Sequence, residues 1–159
     1  MSTSRKNNNN KSKTKKRGIF RRSKKNTQKF YTNQTKSKIV QKFMELLTMI
    51  KLYHWKTHSF SQHKATDELY AKLNENIDKF VEILLGKSKQ RVNMLENKMT
   101  MYDLEDKTEL REHIFEYRQF LIEMSNIFSS KRDSDLLNVR DEILGDLNQF
   151  LYLLTFDKA

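Results

Sequence analysis

The residues best equipped for chemistry cluster in one central stretch: His54, His58, His63, Asp67, Asp78 and Glu82. His63 and Asp67 stand four residues apart, and so do Asp78 and Glu82. On a helix, at about 100° per residue, Asp67 lies about 40° from His63, Asp78 about 60° and Glu82 about 100°. The four therefore share one row. Leu69, Leu73, Ile77, Phe80 and Leu84 form an apolar stripe at about 240–340° on the same wheel. Lys64, Glu68, Lys72, Glu75 and Lys79 fill about 100–180°. The row thus occupies the edge between the core stripe and the solvent face.

Imidazole and carboxylate are metal ligands, and a mixed set with open positions suits iron, with manganese and zinc less selective alternatives. One helix cannot gather this set. Asp67 and Asp78 are about 16 Å apart along it, and His63 and Glu82 about 28 Å. A two-fold axis can. His63 and Glu82 are equidistant from a centre between Lys72 and Leu73, as are Asp67 and Asp78. Antiparallel packing of this helix on its own copy would set His63 opposite Glu82 and Asp67 opposite Asp78. Two identical clusters would result. The competing reading is a solvated helix face, because a single His-x3-Asp or Asp-x3-Glu is a common surface pattern. His58 and His113 read as exposed polar residues.

Four helical segments must position these groups. Segment A covers about Ile39–Thr57, with Phe43, Leu46, Leu47, Ile50 and Tyr53 at 3–4 spacing. Segment B covers about Ser61–Leu85, with Ser61 as its cap and Gly86 at the C′ position. Segment C, about Glu109–Phe128, alternates Leu110, Ile114, Tyr117, Leu121, Met124 and Phe128. Segment D, about Ser134–Phe156, is apolar around much of its circumference, and its Gly145 suggests a close helix approach. Between B and C, Lys87–Lys107 has room for a short helix around Val92, Met94 and Leu95. No internal repeat is present. The expectation is an all-α four-helix bundle over residues 38–159.

Charge divides the chain sharply. Of 31 Lys and Arg and 20 Asp and Glu, residues 1–37 hold 13 basic side chains and no carboxylate. Residues 1–37 therefore read as a disordered basic arm, too polar to offset chain entropy. Arg5, Lys6, Lys11, Lys13, Lys15, Lys16, Arg17, Arg21, Arg22, Lys24, Lys25 and Lys29 are its candidate contacts to DNA phosphates, which would bind by counterion release. A solubilising tail or a nuclear-localisation signal around Lys15–Lys25 are the alternatives.

Several classes fall away. With no cysteine, thiolate metal sites, disulfide scaffolds and cysteine nucleophiles are excluded. No apolar run approaches 18 residues, so no membrane partner is expected. The N-terminus lacks the apolar core of a secretory signal. The expected location is intracellular and DNA-associated, in cytoplasm, nucleoid or virion, and not secreted.

Leu52-Tyr53-His54-Trp55, Phe60-Ser61-Gln62-His63-Lys64-Ala65-Thr66-Asp67-Glu68-Leu69-Tyr70 and Asn76-Ile77-Asp78-Lys79-Phe80-Val81-Glu82 resemble the mini-ferritins, the bacterial DNA-binding proteins from starved cells. Ser134-Asp135-Leu136-Leu137 resembles the start of that family's fourth helix. A closer likeness is to mini-ferritin-like proteins of giant DNA viruses; the Asn/Lys-rich, Pro-free composition suits an AT-rich genome. The resemblance covers about residues 39–156. It implies a ferritin-like four-helix bundle and a two-fold dimer or larger shell. It implies iron as the metal, with His54, His63, Asp67, Asp78 and Glu82 as ligands in a ferroxidase site shared between subunits. Trp55 would stand beside that site. Fe(II) oxidation and non-specific DNA binding by the arm follow as expected functions. The alternative is a non-enzymatic DNA-packaging or virion structural protein on the same bundle.

Overall fold

A computed structural model describes Met1, residues 31–96 and residues 98–156. The arm residues from Arg5 to Lys29 lie outside that set. Four helices follow in order: α1 (Asn33–Lys56), α2 (Phe60–Ser88), α3 (Lys107–Glu123) and α4 (Ser134–Leu153), with a 3-10 turn at Met124–Asn126. Among the described residues there is no strand. No helix among them is long and apolar enough to cross a membrane.

The pairing directions are read from side-chain contacts. Along α2 and α4, Lys72 reaches Gln149 at 3.1 Å, Asn76 reaches Asp146 at 3.0 Å, Lys79 reaches Glu142 at 3.3 Å and Lys87 reaches Asp135 at 2.8 Å. One number rises as the other falls, so the two helices are antiparallel. Phe43 meets Phe80 edge-on with ring centroids 5.3 Å apart, and His54 meets His63, so α1 and α2 are antiparallel as well. On α1, Phe43 meets Phe120 of α3, and Lys56 meets Asp103 just before α3 begins. These three antiparallel relations make α2 and α3 parallel. The result is the ferritin-like arrangement, with one long crossover.

Twelve of the core side chains come from α1 and α2, among them Phe43, Met49, Ile50, Leu73, Phe80 and Leu84. Leu110, Ile114, Leu121, Leu136, Ile143 and Leu147 complete the interior from α3 and α4. The helix starts are capped locally. Thr32 Oγ1 accepts from Thr35 N, Ser59 Oγ from Gln62 N, and Asp106 Oδ1 from Thr108 N and Glu109 N. At the other end of α3, buried Arg140 donates to the Leu121 carbonyl at 2.7 Å, which satisfies one of the helix's last acceptors.

Four details depart from the sequence reading. α1 begins at Asn33, within the residues assigned to the arm, because Thr32 caps it and Lys36 and Ser37 are buried. Lys36 is 1% exposed, and its ammonium donates to the Gln90 and Arg91 carbonyls. Ser59 rather than Ser61 caps α2. Gly86 lies inside α2, which ends at Lys89 in the left-handed region, φ 55°. A Cβ on Gly145 would meet nothing within 4 Å, so no helix presses on it.

The crossover, residues 89–106, contains no helix among its described residues; it runs as a strap along α1. Its backbone groups are satisfied by a row of α1 side chains four residues apart. Asn33 exchanges two hydrogen bonds with the Asn93 backbone, Ser37 Oγ accepts from Leu95 N, Gln41 donates to Lys98 O, and Glu45 accepts from Thr100 N. A polar row at this spacing lies on one helix face. Burial pushes the Glu45 carboxyl up, but hydrogen bonds from Lys42, Thr100 and Gln41 outweigh it and hold the group below the usual range. Replacing Glu45 leaves the Thr100 amide without its acceptor. Glu45→Leu should cost about 1–3 kcal/mol of unfolding free energy at pH 7. The lowered folded value sets the sign: the stabilisation is complete above about pH 4.3 and is lost as pH falls through that lower value. Denaturant titrations of both proteins at neutral and acid pH should therefore show the difference narrowing at acid pH.

Candidate metal centre

The end of α1 and the start of α2 are joined by Thr57, His58 and Ser59 alone. So short a turn forces the last turn of α1 against the first turn of α2. His54 and His63 meet there as stacked rings, with centroids 3.9 Å apart and planes 23° from parallel. Each ring anchors on the other residue's backbone. His54 Nδ1 lies 3.0 Å from His63 O, and His63 Nδ1 lies 3.0 Å from His54 O. A carbonyl only accepts, so both Nδ1 atoms carry the proton. In the neutral ring the lone pair is then at Nε2, the position from which a histidine ligates metal.

Buried Thr66 reinforces this choice. Its hydroxyl donates to Gln62 O at 2.7 Å and stands 3.2 Å from His54 Nδ1, whose N–H it accepts. Gln62 is tied in turn, receiving hydrogen bonds from Tyr53 Oη at 2.6 Å and Thr57 Oγ1 at 2.9 Å. The sequence reading singled out neither Thr66 nor Gln62. Their signal was a threonine standing in the buried stripe of α2, one turn from His63.

His54 Nε2 faces Asp67 Oδ1 at 4.0 Å. A lone pair and a carboxylate oxygen repel unless something positive stands between them. A proton on Nε2 serves, as does a water donating to both atoms, and so does a divalent cation, at about 2.0–2.2 Å from each donor. The donor set therefore fits a first-row metal ion on the condition that more ligands arrive from outside. Among the described residues, no three His, Asp or Glu side chains of one chain are grouped closely enough to hold one.

The structure pairs His54 with His63 and His54 with Asp67, and leaves Asp78 and Glu82 apart. The last two are exposed further down the same edge of α2. Neither makes an ion pair among the described residues. Trp55 is 68% exposed, with the Lys51 ammonium 5.8 Å from its ring centroid, so it is not a core residue. His58 is exposed; His113 stands apart on α3, paired with Glu116 at 3.1 Å and packed on Tyr102. On the other flank of α2, a groove of about 510 Å³ runs between Ser61, Ala65, Glu68 and the α4 end at Leu153, Leu154 and Phe156, with Asp67 on its rim.

No curated protein and no solved structure matches the chain. One family model, described as a family of unknown function (DUF5856), matches residues 54–154. That span starts at His54, holds the whole candidate edge of α2 and ends at the close of α4. The match covers well over half of the 159 residues, and the chain accordingly belongs to the DUF5856 family.

Proposed function

We propose that this protein is a mini-ferritin-like oxidase of Fe(II). Its site is shared between two copies of the chain, and its basic arm holds duplex DNA without reading sequence. The observation that carries the reading is the His54 Nε2–Asp67 Oδ1 pair, an imidazole nitrogen and a carboxylate oxygen 4.0 Å apart, which a divalent cation can bridge. Three further features support it. The bundle is ferritin-like in its connectivity. Asp78 and Glu82 share the exposed edge of α2 with His63 and Asp67. Their spacing places them opposite Asp67 and His63 of a second copy in an antiparallel pair.

In this reading Fe(II) is the substrate. His54, His63 and Asp67 supply one half of the coordination, and Asp78 and Glu82 of a second copy supply the other. Carboxylates stabilise Fe(III) over Fe(II), which favours loss of an electron to oxygen or peroxide. The fixed Nδ1 protons keep the imidazoles turned toward the metal throughout.

Purified protein should oxidise Fe(II) in air faster than buffer does. Glu82→Ala and Asp78→Ala should each lower the rate at least about tenfold, the scale on which supporting a metal site is felt. His113→Ala should leave it unchanged. An inert Glu82→Ala together with a damaging His113→Ala would place the chemistry elsewhere.

For the arm, residues 31–159 carry 19 basic and 20 acidic side chains, so the body offers DNA no positive excess. Deleting residues 2–30 keeps Tyr31, whose hydroxyl donates to Asp133, and Lys36, which holds the strap. The truncated protein should fold and lose duplex binding. The full chain should bind unrelated duplexes alike and weaken steeply with salt. Undiminished binding by the truncated protein would rule the arm out.

A further inference from the structure

We infer that the second copy is locked in place by a knob and a hollow at the two ends of α2: Phe60 of each chain seats in a depression beside Gly86 of the other. The inference rests on the antiparallel α2 pairing proposed above and adds what holds that pairing together.

The first observation is Phe60. It opens α2, yet it is 76% exposed, the largest exposure of any aromatic side chain among the described residues. Nothing among the described residues covers it to a comparable degree with Phe43 or Phe80. The second is a depression of about 470 Å³ at the opposite end of the same helix, lined by Glu82, Leu85, Gly86, Lys89, Gln90 and Arg91. The two lie on one side of α2, Phe60 at about 60° and Leu85 at about 40° on the wheel that carries the ligand row.

Register joins them. About the centre between Lys72 and Leu73, Phe60 and Leu85 are equidistant, each about 19 Å away along the axis. The pairing that sets His63 opposite Glu82 therefore sets Phe60 opposite Leu85, without further adjustment. The hollow is apolar at Leu85 and Gly86 and cationic at Lys89 and Arg91, which suits an aromatic ring approached on its face by a positive group. Two such contacts arise by symmetry, one at each end of the interface.

Gly86 is the third, independent observation. Glycine weakens a helix interior relative to alanine. Here its backbone is ordinary, and a Cβ added to it would meet nothing within 4 Å. Neither conformation nor packing inside one chain calls for glycine at this position. Gly86 lies at about 140° on the wheel, at the margin of the hollow, and the register sets it across from Ser59, next to Phe60. The bare helix surface is what leaves the hollow open.

The test is sedimentation equilibrium of the full chain, in salt high enough to strip nucleic acid, with circular dichroism as the check on folding. Wild type should be dimeric. Phe60→Ser removes the knob and Gly86→Leu fills the hollow; each should raise the dimer dissociation constant at least about tenfold, since each defect occurs twice. Both positions are exposed, so helicity should hold. Combining Phe60→Ala with Gly86→Leu moves the bulk from one side of the contact to the other, and should recover most of the lost affinity. Unchanged association in both single variants overturns the contact, and if Fe(II) oxidation still depends on concentration the shared site survives it. A wild-type monomer at all concentrations overturns both. Dimers that need Phe60 and Gly86 but do not oxidise Fe(II) uphold the contact and remove the iron reading.

Discussion

Burial of one stripe on α2 governs most of what this molecule presents. Leu69, Leu73, Ile77, Phe80 and Leu84 are all within 3% of complete burial, wedged between α1 and α4. Each such side chain contributes about 1.5–3 kcal/mol by leaving water, which far exceeds any surface pair. That burial sets the rotation of the helix. Once it is set, Lys72, Asn76, Lys79 and Lys87 can only face α4, and His63, Asp67, Asp78 and Glu82 can only face outward. The polar pairs to α4 then follow rather than lead, because exposed ion pairs such as Lys79–Glu142 contribute little. An edge left exposed among the described residues is a consequence of the same rotation.

The three-residue turn between α1 and α2 does a second job. A longer connection would let the helix ends splay. This one presses two imidazoles together and lets each ring use the other's carbonyl. A histidine pair held in this way has no rotational freedom to lose when a ligand arrives. Thr66 and Gln62 extend the arrangement into the bundle, so the orientation of His54 is coupled to the packing of Tyr53. The strap on the far side of α1 shows the same economy. A parallel α2–α3 relation demands a long crossover, and an extended backbone needs partners that a helix would have supplied internally. The Asn33, Ser37, Gln41 and Glu45 row supplies them.

Much of this was legible from residue types and spacing. The apolar periods of α1 to α4 located all four helices, and the wheel of α2 placed His63, Asp67, Asp78 and Glu82 on an exposed edge, where they lie. The misses have physical causes. The first turns of α1 read as arm because their polar row matched an unstructured composition; its buried face serves the strap, a partner hundreds of atoms away in sequence terms. Lysine is almost never fully buried, so Lys36 gave no sign of an interior role. Gly86 suggested a helix end because glycine commonly terminates one, whereas the helix runs on to Ser88 and Lys89 takes the left-handed position. Val92, Met94 and Leu95 hinted at a helix, but the strap draws its hydrogen bonds from α1 instead. The Thr66 and Gln62 network depends on how two helices meet, and single-helix periodicity carries no such information.

The central claim is that one working site takes its ligands from two chains. Subunit exchange between Asp67→Ala and Glu82→Ala proteins tests it most directly. In the mixed dimer, one site has His63 and Asp67 from the Glu82→Ala chain and Asp78 and Glu82 from the Asp67→Ala chain, and is complete. The other site carries both defects. Random reassortment makes about half the dimers mixed, each with one of two sites whole, so about a quarter of wild-type Fe(II) oxidation should return. Exchange itself is verified by mass with one chain isotopically labelled. Activity that stays at the level of the single variants after complete exchange would contradict a site shared between chains.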